Sequence, residues 1–315
     1  MTVPSPHPPH FLGGKRYAAF GPFLRDRFGG RVQRIAIDGG FTCPTRDGTR
    51  GSGGCLYCDA EGARAGHVDP ELPVAEQLQH GIAAAQRRRK VERFIAYFQA
   101  FTNTYAEPEV LRTLYDQGLS DPRVVALAIG TRPDCLDDAV LDLLDGYNQK
   151  TYLWLEVGLQ SMKDSTLRAM HRGHTVADFT RAAKRLRERE IRFVAHVILG
   201  LPGDDTEDML RATDLLNESG AWGVKIHNLY IDKNAPLAQA YRNGTVQILE
   251  RAAYLDLVAE FLNRLSPDIL VHRLVGQAPR GRLIAPEWCL DKPKLLNDLD
   301  RVMEERSLWQ GVAQA

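Results

Sequence analysis

The sequence predicts an α/β fold, a parallel barrel or open sheet covered by helices, and three observations carry that expectation. Short β-rich runs alternate with helical stretches about six times along the chain. The runs are near-continuously apolar rather than alternating, as in strands covered on both faces. Repeated strand–helix units imply right-handed crossovers and hence parallel strands. In such folds functional groups collect where strands end and loops begin, so a motif that carries chemistry should fall just after a strand.

The first ten residues hold four prolines and two histidines and read as a tail or extended arm. Strands are expected in VQRIAID from Val32, ERFIAYFQAF from Glu92, RVVALAIG from Arg123 and TYLWLEVGL from Thr151. Three more follow in RFVAHVILG from Arg192, GVKIHNLYI from Gly223 and DILVHRLV from Asp268. Between them VLDLLDGY is a helix that Gly146 would end as a C-cap. Thr175 and Asp178 form a capping-box pattern ahead of FTRAAKRLRERE. Thr206 is a candidate cap for DMLRATDLLNESG, which Gly220 would end.

Composition narrows the function. The 315 residues are 44% hydrophobic and 25% charged, ordinary globular values that exclude a disordered or collagen-like chain. No apolar run approaches the roughly 18–20 residues of a membrane helix. The start, MTVPSPHPPHFLGGKRY, lacks the apolar core of a signal peptide, so a cytoplasmic protein with no membrane partner is expected. Forty Lys and Arg balance forty Asp and Glu, which excludes a global basic field for nucleic acid. Local positive patches remain at Arg87-Arg88-Arg89-Lys90 and at Arg25, Arg27, Arg31 and Arg34, readable as solvated faces or as phosphate contacts.

Five cysteines are too few for a disulfide scaffold, but Cys43, Cys55 and Cys58 fall within sixteen residues directly after the first strand. Their loop is glycine-rich, which lets backbone fold tightly around an inorganic core. Soft thiolates select an iron–sulfur cluster, zinc or copper(I). A [4Fe–4S] cluster on three cysteines keeps one iron open to substrate or cofactor. A zinc site would draw a fourth ligand from His67, Cys135 or Cys289.

The aromatic inside Cys55-Leu-Tyr57-Cys58 resembles the signature of the radical S-adenosylmethionine (SAM) superfamily, although eleven residues here separate the first two cysteines in place of the usual three. Downstream, Leu155-Glu156-Val-Gly158-Leu-Gln160-Ser161, Arg172-Gly173-His174-Thr175 and His196-Val-Ile-Leu-Gly200-Leu-Pro202-Gly203 follow in order. Those blocks resemble the radical SAM domain of the Elongator catalytic subunit and, more distantly, coproporphyrinogen dehydrogenase. The long cysteine loop, Tyr97-Phe98-Gln99, Asn103-Thr104 and the C-terminal His272-Arg273-Leu274, Ala278-Pro279-Arg280 and Ile284-Ala285-Pro286-Glu287-Trp288 are similar to the bacterial YhcC/YtqA-like group.

The resemblance implies an incomplete (β/α)6 TIM-like radical SAM barrel at 31–240, an N-terminal arm at 1–30 and a C-terminal helical and strand extension at 241–315. It implies Cys43, Cys55 and Cys58 as ligands of a [4Fe–4S] cluster whose open iron chelates SAM, which one electron cleaves to a 5′-deoxyadenosyl radical. It places Tyr57 and Ile198 against the adenine, Gln160 and Arg172 on SAM, and His196 near the ribose. Gln99-Ala100-Phe101-Thr102-Asn103 replaces the Gly-Gly-Glu-like turn that meets the SAM amino group. Glu156 belongs to the same set, or is a buried carboxylate paired with an arginine. His196 and His227 also read as core or rim histidines, Gly200 to Gly203 as a strand-to-helix turn, and Asp204 and Asp205 as helix N-terminal acids.

The resemblance further implies modification of the wobble-uridine side chain of tRNA, such as loss of the carboxymethyl part of a carboxymethylaminomethyl group, with flavodoxin or ferredoxin as electron donor. Asn234-Ala235-Pro236-Leu237 departs from the group's turn after the sixth strand, on the substrate side. No acetyltransferase segment accompanies the barrel here, so acetyl-CoA chemistry is not expected. The alternatives are C–H chemistry on a small molecule such as a porphyrin precursor, and a non-catalytic metal-binding protein.

Overall fold

The protein is described by a computed structural model at residues 11–62, 64–276, 278 and 281–314. The proline-rich stretch 1–10, and Pro279 and Arg280 of the C-terminal block, lie outside the described residues. The chain runs α1 (Phe20–Phe28), β1 (Val32–Ile37), α2 (Val74–Arg88), β2 (Arg93–Phe98), α3 (Pro108–Gly118), β3 (Val124–Thr131), α4 (Asp138–Lys150) and β4 (Tyr152–Gln160). It continues through α5 (Asp164–Ala169), α6 (Val176–Glu188), β5 (Arg192–Leu199), α7 (Thr206–Leu210), α8 (Ala212–Ser219), β6 (Gly223–Asn228) and β7 (Ile231–Asp232). It ends with α9 (Leu237–Arg242), α10 (Arg251–Arg264), β8 (Leu270–Arg273), β9 (Leu283–Ala285) and α11 (Lys292–Glu305).

Seven strands form one parallel sheet in the order β1-β2-β3-β4-β5-β6-β8, each beginning within two residues of its expected start. Among the described residues no pairing joins β1 to β8, so the curled sheet stays an open, incomplete barrel. The C-terminal extension supplies β8 and thereby a seventh strand beyond six repeated units, because β8 pairs parallel with β6. GVKIHNLYI splits into β6 and the short β7, which leaves the sheet to pair antiparallel with β9.

Two helix ends differ from expectation. Helix α4 runs past Gly146 to Lys150, because Tyr147 is buried and its hydroxyl donates to Asp116 (2.6 Å), giving the extra turn a packing partner on α3. Asp205, not Thr206, caps α7: its carboxylate accepts from the Asp208 N–H (2.7 Å), and Asp208 accepts the Asp205 N–H in return. The stretch then breaks at Arg211 into α7 and α8, and Gly220 ends α8 at φ 73°. The Thr175–Asp178 capping box forms as expected.

Helices cover the outer face of the sheet, where Leu78, Ile82, Leu111, Leu144 and Phe179 pack in one continuous core with the strands. The inner face is divided. Near the strand N-termini, α1 inserts Phe20 and Leu24 among Ile95, Ala126, Trp154 and Val194. Phe20 stacks on His272 (3.6 Å between centroids) and meets Trp154 and Trp222 edge-on. This aromatic floor closes one end of the half-barrel; the other end is open.

Candidate active site

A cavity of about 460 Å³ opens at the C-terminal ends of the strands. The cysteine loop leaves β1 and folds over it through local turns: Arg46 N–H donates to Cys43 O (2.8 Å), Gly54 N–H to Thr45 O (2.9 Å) and Cys58 N–H to Cys55 O (3.0 Å). Gly54, at φ 79°, brings the chain close over the Arg46 guanidinium, where a side chain would collide. Leu56 is tied on both sides, its N–H to Met170 O (3.1 Å) and its carbonyl to Leu237 N–H (2.9 Å).

Cys43, Cys55 and Cys58 all line the cavity. Cys43 Sγ lies 3.1 Å from Thr102 Oγ1. The Cys55 thiol is held well below its usual range by a hydrogen bond from Cys58 and by the Arg172 charge, against the opposing effect of burial. Arg172, buried, approaches Cys55 Sγ through Nη1 (3.8 Å) and donates through Nη2 to Gly158 O (3.3 Å), while its Nε has no partner. Gly158 makes this possible, since a Cβ there would strike both Arg172 and Gln160.

Below the cysteines lies a charged layer. Glu156, fully buried on β4, accepts from Tyr97 Oη, from Lys225 Nζ and from His196 Nε2 (3.0 Å). Burial opposes its ionisation, but the Lys225 charge and the His196 hydrogen bond hold its carboxyl well below the usual range. Burial pushes Lys225 down to about 7 and His196 down to about 4, in each case against the pull of Glu156. His196 is therefore neutral near pH 7 and donates its Nε2–H to the carboxylate.

Every residue singled out in the sequence for the cluster or for SAM reaches this one cavity: the three cysteines with Tyr57, Gln99, Thr102, Glu156, Gln160, Arg172, His196 and Ile198. The partner of Glu156 is Lys225 rather than an arginine, because Lys225 points inward on β6. Lys225, Tyr97 and Arg273 were not expected in these roles; a lysine inside the apolar run GVKIHN was the signal for the first. The basic run Arg87–Lys90 sits where α2 ends and β2 begins, at the opposite end from the cavity. Arg25 and Arg27 ride on α1, with Arg27 over the Tyr152 ring (5.1 Å), whereas Arg34 reaches the Tyr97 ring (5.8 Å). Asp205 serves as a helix cap, and Asp204 accepts from Ser161 (2.9 Å).

The donor set suits a polynuclear core better than a single ion. Among the described residues no three His, Cys, Asp or Glu side chains gather closely enough to hold one metal ion. The three thiols stand instead around the wall of a shared cavity, and His67, Cys135 and Cys289 are not part of that wall. An orphaned, buried Arg172 Nε beside the thiols calls for an acceptor that the chain does not supply.

Comparison with known proteins agrees with this chemistry. A model of the radical SAM superfamily matches residues 47–216, and one of the radical SAM C-terminal domain matches 221–305. Protein YhcC of Escherichia coli K12 is 39% identical over 93% of this chain and 94% of its own length. YtqA of Bacillus subtilis is 37% identical over 94% and 92%. The tRNA uridine(34) acetyltransferase of Dehalococcoides mccartyi is 25% identical over 50% of this chain and 34% of its own. In structure, the Elp3 of the archaeon Methanocaldococcus infernus, lacking its N-terminus, superposes with a TM-score of 0.67 at 16% identity, over 89% of this chain and 64% of that one. No described helix is long and apolar enough to cross a membrane.

Proposed function

Because this chain belongs to the radical SAM superfamily and is a radical SAM enzyme, we propose that Cys43, Cys55 and Cys58 hold a [4Fe–4S] cluster and that the enzyme modifies the side chain of a tRNA wobble uridine. The observation that carries the reading is the convergence of three thiols with the orphaned Arg172 donor on one cavity at the mouth of a parallel half-barrel. When bound, the cluster and SAM supply a one-electron cleavage that yields a 5′-deoxyadenosyl radical, the hydrogen-abstracting species.

The chain's own residues bind and orient. Arg172 offers Nε and Nη groups to the SAM carboxylate, a planar match for its two oxygens. Gln160, held at φ 74° beside Gly158, adds a side-chain amide to the same wall. Tyr57 and Ile198 would provide the apolar face for adenine, and neutral His196, fixed by Glu156, would meet the ribose. Gln99 and Thr102 line the same cavity and would meet the SAM amino group. The aromatic floor keeps water out from below, which protects a reactive radical from quenching.

The tRNA substrate is supported by the likeness to an enzyme named for uridine 34 of tRNA, and the open side of the half-barrel suits a base presented from an anticodon loop. In this reading residues 31–240 form most of the catalytic half-barrel, α1 of the N-terminal arm floors it, and the C-terminal extension completes it with β8. The enzyme works in the cytoplasm with flavodoxin or ferredoxin as reductant. Anaerobic reconstitution with iron and sulfide should give a brown protein that releases 5′-deoxyadenosine from SAM under dithionite. A colourless, zinc-bound protein would refute the cluster. Nucleoside mass spectrometry of tRNA from a deletion strain should show an altered wobble uridine, and an unchanged profile would refute the substrate.

A further inference from the structure

The cavity carries more positive charge than its own acids neutralise. Its acidic side chains are all engaged: Glu156 by Lys225, and Asp59 and Asp232 by Arg282. Its cations mostly have acceptors too, Arg46 in Asp59 O, Arg64 in Asp38, Arg132 in Asp134 and Arg172 in Gly158 O. Arg273 is the exception. Among the described residues its side chain makes no hydrogen bond or ion pair, although it lines the cavity from the end of β8.

Its surroundings repeat the same deficit. Arg273 is the register partner of Lys225 on β6. Lys225 Nζ lies 4.6 Å from the centre of the Tyr97 ring and Arg34 lies 5.8 Å from it, so two cations flank one ring, the Arg273 charge acts on the same phenol, and the nearest carboxylate is Glu156. Arg34 Nη1 is buried with no partner, and so is His227 Nε2 one turn of pleat above Lys225. Buried donors without acceptors are costly and rare in a finished structure unless something else completes them. Burial and the facing Arg34 charge both act against the Arg273 guanidinium, the response expected where a counter-anion is missing. The site assigned to the SAM carboxylate, at Arg172, is anchored instead to the cysteine loop and β4, through Cys55 Sγ and Gly158 O.

We propose that Arg273, backed by Arg34 and His227, forms an oxyanion subsite for the substrate, taking either a carboxylate on the base or a nucleotide phosphate. The inference rests on the radical SAM reading of the cavity and deepens it: the substrate of this enzyme carries a negative charge that enters the barrel. Arg273 gives charge-assisted hydrogen bonds from a planar fork, Arg34 supplies the long-range field, and His227, neutral because burial holds its pKa down, adds a directional contact.

The test measures binding to reconstituted, SAM-loaded protein by calorimetry, with 5-carboxymethylaminomethyluridine, its methyl ester and inorganic phosphate as probes. The wild type should bind the acid about tenfold or more tightly than the ester, which keeps the amine but lacks the anionic carboxylate. Arg273→Gln should bring the acid down to the ester's affinity and leave the ester where it was, the ester serving as the control for folding. Arg273→Lys should recover part of the preference. Phosphate bound in an Arg273-dependent way, with acid and ester equal, would support the subsite and assign it to a phosphate. If the acid's preference survives in Arg273→Gln, or if neither anion responds to that substitution, the proposal is overturned. Release of 5′-deoxyadenosine by the same wild-type preparation reports separately on the radical chemistry, so failure of one reading is not mistaken for failure of the other.

Discussion

Trp154 and Glu156 stand two residues apart on β4, face the same interior and are both fully buried, yet they belong to opposite kinds of environment. Trp154 looks down into the aromatic floor with Phe20 and Trp222, while Glu156 looks up into a layer of Lys225, His196 and Tyr97. The two layers nearly touch, since Trp154 Nε1 lies 3.4 Å from Glu156 Oε1. One pleat of one strand thus separates a part of the molecule that exists to pack from a part whose polar groups are arranged for ligands. The lower layer is held by ring packing, and even His272, whose two ring nitrogens have no partner, is enclosed by Phe20, Trp154 and Trp222. The upper one contains orphaned donors at Arg34, Arg172 and His227.

Substitutions should therefore sort by layer. Cys55→Ala should remove the cluster's colour and abolish SAM cleavage while the fold persists; an iron assay and 5′-deoxyadenosine chromatography check this, and retained cleavage would erase the distinction. Arg172→Ala should leave iron content intact and weaken SAM binding about ten- to hundredfold, read by equilibrium dialysis. Trp154→Ala, on the floor, should cost about 3–5 kcal/mol of stability in urea unfolding, because a large buried ring leaves a cavity that α1 cannot fill.

A pH titration sharpens the contrast. His196 titrates near 4 in the folded protein and near 6.5 when unfolded, so between those values the unfolded chain binds the extra proton. Stability should fall as pH drops from about 6.5 to 4, by up to about 3 kcal/mol from this group, and be fully present above 6.5. His196→Gln should flatten that slope in urea titrations of cluster-free protein. An unchanged slope would mean His196 is not held neutral by burial. The smallest effect belongs to a site remote from both layers: Thr175→Ala should cost about 1 kcal/mol through loss of the capping box on α6.

The fold was legible because parallel strands buried on both faces leave an unmistakable mark, as in VVALAIGT of β3 or RFVAHVIL of β5. The cysteine loop was legible because metal-binding thiols cluster in sequence. What escaped was long-range. Lys225 and Glu156 lie sixty-nine positions apart and meet only because β4, β5 and β6 are neighbours. Arg273 reads as one polar residue in a short strand until β8 is seen beside β6. Helix ends were misjudged where tertiary contact outweighed local preference, as at Gly146, carried through by the burial of Tyr147.

The segment ahead of α1 is clasped to the end of the C-terminal extension. Gln310 accepts from the Ala18 N–H (2.8 Å) and donates to Ile269 O (2.8 Å), while its own N–H reaches Arg16 O (2.9 Å) and Lys15 pairs with Asp300. Residues lining the cavity all fall between Cys43 and Ala278. A nascent chain thus carries every described residue of the cavity wall before it carries Gln310, the side chain that pins the segment leading into α1.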